Sequence, residues 1–150
     1  MYKNIVLALD GSPLAEAAIP HARALAKAFG ARVTLLSVVE PVGIYSQPGV
    51  VGPVVSVAMN MEEEMENVRQ YLETIADQFK AEGIDVKKVV REGNAASRIC
   101  DYAHESGADL IVMSTHGRSG IQRWVYGSVA DKVLRGAKVP ILLVRAASTA

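Results

Sequence analysis

The sequence predicts a doubly wound α/β fold: a five-stranded parallel sheet sandwiched by four helices. Five short runs that read as apolar recur along the chain, at Ile5–Leu9, Val33–Val39, Val86–Val90, Leu110–Met113 and Ile141–Val144. Stretches of helical length and period separate them, and the runs do not alternate apolar with polar as half-solvated antiparallel strands do. Strands alternating with helices imply crossover connections and a sheet covered on both faces.

The elements follow in order. Ile5–Leu9 ends in Asp10-Gly11, a strand followed by a turn. Ser12 then suits a helix N-cap and Pro13 the first helical position, while Gly30 suits the stop after the alanine-rich stretch through Phe29. Pro20 is expected to kink that helix, because proline removes an N–H and crowds the preceding turn. After the strand Val33–Val39, residues Glu40–Val57 carry three prolines and three glycines without period, which predicts a long loop or lid. From Met61, apolar residues recur at Met65, Val68, Leu72, Ile75 and Phe79, one face of a second helix ended by Gly83. Val86–Val90 forms the third strand, and Gly93-Asn94 introduces a helix carrying Ile99, Cys100 and Ala103. Leu110–Met113 is the fourth strand. A last helix starts near Ser128, and Pro140 precedes the final strand Ile141–Val144.

With 150 residues, half of them hydrophobic, residues 1–150 are expected to form one domain with a real core. The 16 basic and 16 acidic residues balance, and no basic face points to nucleic acid or a membrane surface. A single cysteine, Cys100, excludes an internal disulfide and reads as a small apolar residue of a helix. The chain enters a strand at Ile5 without a signal-peptide layout and has no run of membrane-spanning length, so a soluble, cytoplasmic protein is expected.

The chemistry-bearing feature is a polar segment between the fourth strand and the last helix, bracketed by Gly117 and Gly127-Ser128. Glycines at a strand-to-helix switch let main-chain N–H groups approach an anion, and Ser128 adds a hydroxyl at the positive end of the helix dipole. The same residues equally serve tight turns and a helix cap. In open parallel sheets, ligands bind beyond the carboxyl ends of the strands where strand order reverses, and Asp10, Val38 and Ser114–Gly117 fall at such ends. Asp10 fits two roles, a turn-forming residue of Asp-Gly and a carboxylate facing sugar hydroxyls or a phosphate-bound metal. His116 has no partners from which a catalytic constellation can be assembled, so no catalytic residue is assigned. Arg118 and Arg123 are long cations on the same segment, and Trp124 and Tyr126 fit either a pocket cover or packing onto the core. The acidic run Glu62-Glu63-Glu64 is explained by helix-dipole complementarity and solvation.

Ser114-Thr115-His116-Gly117, nine residues, then Gly127-Ser128 resembles the motif of nucleotide-binding universal stress proteins, which is Gly, two residues, Gly, nine residues, Gly, then Ser or Thr. The resemblance covers essentially the whole chain, with Ser114 standing where the motif opens on glycine. It implies a Rossmann-like fold of the adenine nucleotide alpha-hydrolase-like type with strand order 3-2-1-4-5. It also implies an ATP site formed by Ala8, Asp10, Val38, Met113, Ser114, His116, Gly117, Arg118, Gly127, Ser128 and Val129. In such a site Val38 meets adenine through its main chain, Met113 lines the pocket, Ser114 lies near the ribose and Asp10 is the candidate ligand for nucleotide-bound Mg²⁺. A homodimer paired through Ile141–Val144 is implied as well, since that apolar strand would make a poor exposed edge.

Three functions follow as expectations. The first is an ATP-binding stress-response or signalling module. The second is a slow Mg²⁺-dependent ATPase, for which the chain lacks both a clear general base and a Walker A sequence. The third is a nucleotide-free dimeric scaffold in which Ser114 reports a lost site. A flavin binder of the flavodoxin type is a further alternative at the level of fold.

Overall fold

The computed structural model describes residues 1–41, 54–115 and 127–146, and side chains within these except those of residues 54–59. The five strands are β1 (Asn4–Ala8), β2 (Arg32–Val39), β3 (Val86–Glu92), β4 (Leu110–Ser114) and β5 (Ile141–Val144). They form one all-parallel sheet in the order β3-β2-β1-β4-β5. The crossovers are helical: α1 (Pro13–Glu16) with α2 (Ile19–Phe29), then α3 (Val54–Ala81), α4 (Ala95–Glu105) and α5 (Ser128–Gly136).

Strand periodicity sorts the core into two layers. Ile5, Leu7, Val33, Leu35, Leu110 and Val112 point to the face covered by α2 and α3, where they meet Ala18, Ala22, Ala26, Leu72, Ile75 and Phe79. The alternate residues Val6, Ala8, Leu36, Ile111 and Met113 point to the face covered by α4 and α5, against Ala96, Ile99, Ala103, Ala130 and Val133. Alanines at four-residue spacing, Ala18 at the N-cap of α2 and Ala22 and Ala26 within it, leave no bulk between helix and sheet, which is why that stretch is alanine-rich.

Pro20 does more than bend the first helix. It sits in the first turn of α2, the preceding segment is the separate short helix α1, and the bonds at the join run three residues back, Ala17 N–H to Leu14 O and Ala18 N–H to Ala15 O. The missing N–H and the ring's demand for space break the ladder here. Ser12 caps α1 by accepting from the Ala15 N–H, and Gly30 ends α2 with φ of 64°, a left-handed conformation that favours glycine.

Two expectations are corrected. The segment Glu40–Val57 is not loop throughout, because α3 begins at Val54. Val54, Val55 and Val57 are weak helix formers, but the helix they begin is long enough for its other turns to carry it. Residues 42–53 of that segment lie outside the described residues. The outer strands are also not buried on both faces. In β3 only Val89 is buried, while Lys87, Lys88 and Arg91 face solvent, and in β5 three of four residues are half-buried. Both strands lie at sheet edges, where one side has no neighbouring strand among the described residues.

The end of α3 is tied to α2 by Glu82, which accepts from Arg23 Nε at 2.7 Å, Arg23 Nη2 at 2.6 Å and Lys27 Nζ at 2.9 Å. These bonds, the guanidinium's above all, lower the Glu82 carboxyl from 4.5 to about 2. A folded-state value below the unfolded one means that the carboxylate's contribution is fully present above pH 4.5 and is lost as pH falls toward 2. Urea midpoints at pH 7 and pH 3 are therefore expected to differ less in Glu82→Gln than in the wild type. Equal pH dependence in the two proteins would contradict this role.

Candidate functional site

The ends of the central strands open into one cavity of about 400 Å³, within the usual range for ligand pockets of about 300–1,000 Å³. β1 contributes Ala8 and the residues after it, Leu9 and Asp10; β2 contributes Ser37, Val38 and Val39; β4 contributes Met113 and Ser114, followed by Thr115. Gly127, Ser128, Val129 and Ala130 close another side at the start of α5. This is the point where strand order reverses, since β1 is followed by β2 on one side and later by β4 on the other. The described candidates Ala8, Asp10, Val38, Met113, Ser114, Gly127, Ser128 and Val129 all line this cavity. The candidates His116, Gly117 and Arg118 lie outside the described residues, as do Arg123, Trp124 and Tyr126.

The turn after β1 is built around Asp10. Its Oδ1 accepts from Ser12 N–H at 2.9 Å and from Ser12 Oγ at 2.6 Å, and Gly11 takes φ of 85°. Asp10 thus serves the turn while its residue borders the cavity. Ser37 is a buried polar residue in an apolar strand, and its hydroxyl donates to Leu9 O at 2.7 Å, holding the end of β1 against β2.

Ser114 is 7% exposed at the end of β4. No non-glycine residue among those described has a positive φ, so serine takes the place of the motif's glycine without left-handed strain.

At α5 the geometry refines the expected anion site. The Gly127 N–H donates to Thr115 O at 2.7 Å, which removes it from the donors available to a ligand. Gly127 is itself the N-cap and makes no side-chain cap, so Ser128 is the first helical residue and its hydroxyl does not cap the helix. Asp131 N–H closes the first helical bond, to Gly127 O. The N–H groups of Ser128, Val129 and Ala130 take no partner among the described residues, as expected for a first helical turn. Three main-chain donors and one hydroxyl therefore gather at the positive end of a nine-residue helix beside the cavity.

Several lining residues carried no signal in the sequence. Glu64 and Val68 reach the cavity from α3, one helical turn apart, and Ala95 and Ile99 do so from α4. The dipole explanation of Glu62-Glu63-Glu64 does not hold, because α3 starts ten residues before Glu64 and has no acidic residue in its first turn. Glu40, after β2, also lines the cavity and accepts from the Ala95 N–H at 3.0 Å. For Ser37 a signal existed: it is the serine of VTLLSVV, close to the carboxyl end of the strand. Cys100 packs beside the α4–α5 layer, and burial raises its thiol above the ordinary value, with Asp101 adding to the effect. Among the described residues no group of three or more His, Cys, Asp or Glu could hold a metal ion, and no helix is long and apolar enough to cross a membrane.

A doubly wound sheet with a cavity at its switch point and a helix N-terminus facing it defines a class of α/β ligand-binding folds. The family model described as the universal stress protein family matches residues 1–145, and the chain belongs to that family. It is 32% identical over 145 residues to universal stress protein MJ0531 of Methanocaldococcus jannaschii, covering 97% of this chain and 83% of that protein. The solved structure of MJ0577, a protein of the same organism, superposes with a TM-score of 0.87 at 26% identity, covering 99% of both chains. Two more distant structures share the fold. One is a universal stress protein in complex with cAMP, with TM-score 0.72, 24% identity and coverage of 97% and 98%. The other is an Arabidopsis thaliana family protein with AMP bound, with TM-score 0.64, 15% identity and coverage of 97% and 93%.

Proposed function

We propose that this protein is an adenine-nucleotide-binding universal stress protein, one domain over residues 1–150, that takes ATP and acts as a cytoplasmic stress-response or signalling module rather than a fast enzyme. The observation that carries this reading is the cluster of three amides without a partner among the described residues, with the Ser128 hydroxyl, at the start of α5 beside the cavity at the strand ends. Such a cluster suits phosphate. The family structures that hold cAMP and AMP support an adenine ligand. In this reading the base lies toward Val38, the sugar toward Ser114 and Asp10, and the phosphates on Ser128 and the amides of Val129 and Ala130. His116, Gly117 and Arg118 complete the phosphate side. Mg²⁺ enters on the nucleotide, with Asp10 as its protein carboxylate.

The same reading includes a homodimer through β5. Ile141, Leu142 and Leu143 are half-buried on an edge strand, and antiparallel pairing with a second copy would cover them.

Mass spectrometry of small molecules released from the purified protein, with titration calorimetry against ATP, AMP and cAMP in the presence and absence of Mg²⁺, tests the function. We expect micromolar or tighter binding of at least one of them, strengthened by Mg²⁺ for ATP. Binding of none at millimolar concentration would leave the scaffold reading standing. Sedimentation of a monomer at micromolar concentration would remove the dimer.

A further inference from the structure

We infer that Thr115 is a ligand-contacting residue, its hydroxyl donating to the phosphate seated at the start of α5. The inference rests on the nucleotide reading and adds a side chain to it. Thr115 follows the last residue of β4, is 7% exposed and lines the cavity. Its main chain is engaged on both sides: the N–H donates to Val144 O at 2.9 Å, and the carbonyl accepts from Gly127 N–H at 2.7 Å. Those two bonds hold the residue between the strand ends and the first turn of α5. Its Oγ1, by contrast, is a buried side-chain polar atom without a hydrogen-bond partner, and it alone has that standing among the described residues.

A buried hydroxyl left unpaired is costly, and native structures almost always satisfy such groups. Ser37 shows the ordinary outcome in the same cavity wall, with its hydroxyl given to Leu9 O at 2.7 Å. For Thr115 the neighbouring main-chain groups at Val144 and Gly127 are already paired. Thr115 also lines the cavity, beside the amides of Ser128, Val129 and Ala130, which take no partner among the described residues. A phosphate held on those amides brings acceptor oxygens beside Thr115. Because Oγ1 is covered in this conformation, contact requires a turn about χ1, which exchanges hydroxyl and methyl between staggered positions. The hydroxyl then gains a charged acceptor, the stronger kind of hydrogen bond.

Thr115→Val keeps the shape and removes the hydroxyl, and Thr115→Ser keeps the hydroxyl. In titration calorimetry Thr115→Val is expected to weaken AMP and ATP binding about tenfold or more, as for a lost hydrogen bond to a charged group. Thr115→Ser should stay within about threefold of wild type, a difference too small for a lost charged hydrogen bond. Adenosine, which lacks the phosphate, should bind both variants as it binds the wild type, and without nucleotide Thr115→Val should melt no lower than the wild type. A purely packing role would move the melting temperature and leave the ratio of AMP to adenosine affinity unchanged, and that result overturns the inference. Thr115→Val binding AMP as tightly as a wild type that binds it measurably also overturns it, while the nucleotide reading stands. A wild type that binds none of these ligands overturns both.

Discussion

Ser128→Asp is expected to abolish nucleotide binding while leaving the fold as stable as before or slightly more so. The substitution puts a carboxylate on the first residue of α5, behind an N-cap, Gly127, that has no side chain to offer. At the positive end of a helix such a charge stabilises by about 0.3–1 kcal/mol. For a phosphate on the same turn it is repulsive: two unit charges about 4 Å apart interact by about 4 kcal/mol at the effective dielectric near a protein surface. Affinity for ATP and AMP should therefore fall by about 100-fold or more, since each 1.4 kcal/mol is about tenfold. Ser128→Ala, which removes only a hydroxyl, should do much less. Calorimetry and thermal melts of the three proteins decide it. Ser128→Asp binding ATP within about tenfold of wild type would be too small a loss for a phosphate on this turn, and the phosphate would have to lie elsewhere.

The largest effect on stability is expected at Phe79. Its side chain is fully buried, in the layer formed with Leu72, Ile75 and Ala76 of the same helix. Its carbonyl also accepts from the N–H groups of Glu82 and Ile84, both at 3.1 Å, where the chain leaves α3 for β3. Phe79→Ala should cost about 3–5 kcal/mol, the transfer of the ring plus the cavity left behind. A domain of this kind has only about 5–15 kcal/mol in total. Leu134→Ala, at a position 41% exposed on α5, should stay within about 0.5 kcal/mol. Urea midpoints measure both, and a Phe79→Ala loss below about 1 kcal/mol would mean that the layer closes over the gap.

The inner strands were legible in the sequence because burial on two faces leaves short apolar runs, and the half-buried edge strand β5 was legible as an apolar run with its bounds, Ile141–Val144. Helix ends were legible where a residue type has a geometric task, as with Ser12, Gly30 and Asn94, whose side chain accepts from Ser97 N–H. The start of α3 was not, since valines after Pro53 resemble strand or loop and the helical period is clean only from Met61. In the site, Asp10, Val38 and Ser128 were recognisable from their positions at strand and helix ends. Glu64 was not: nothing in an acidic run tells which of its members a crossover helix turns toward the sheet. Thr115 stood within the motif, but its unpaired hydroxyl depends on which neighbouring groups are already bonded, a property of packing that sequence does not carry.

The two margins of the sheet differ in a way that bears on how far it can grow. β5 presents a short apolar edge, whereas β3 presents Lys87, Lys88 and Arg91 on exposed positions and Lys88 is paired to Glu73 on α3. Positive charge along an edge opposes the approach of another strand. Any pairing through β5 is therefore terminal: a two-fold contact uses the apolar margins of both copies and leaves only charged ones outside, so assembly stops at a pair and does not propagate into a fibre.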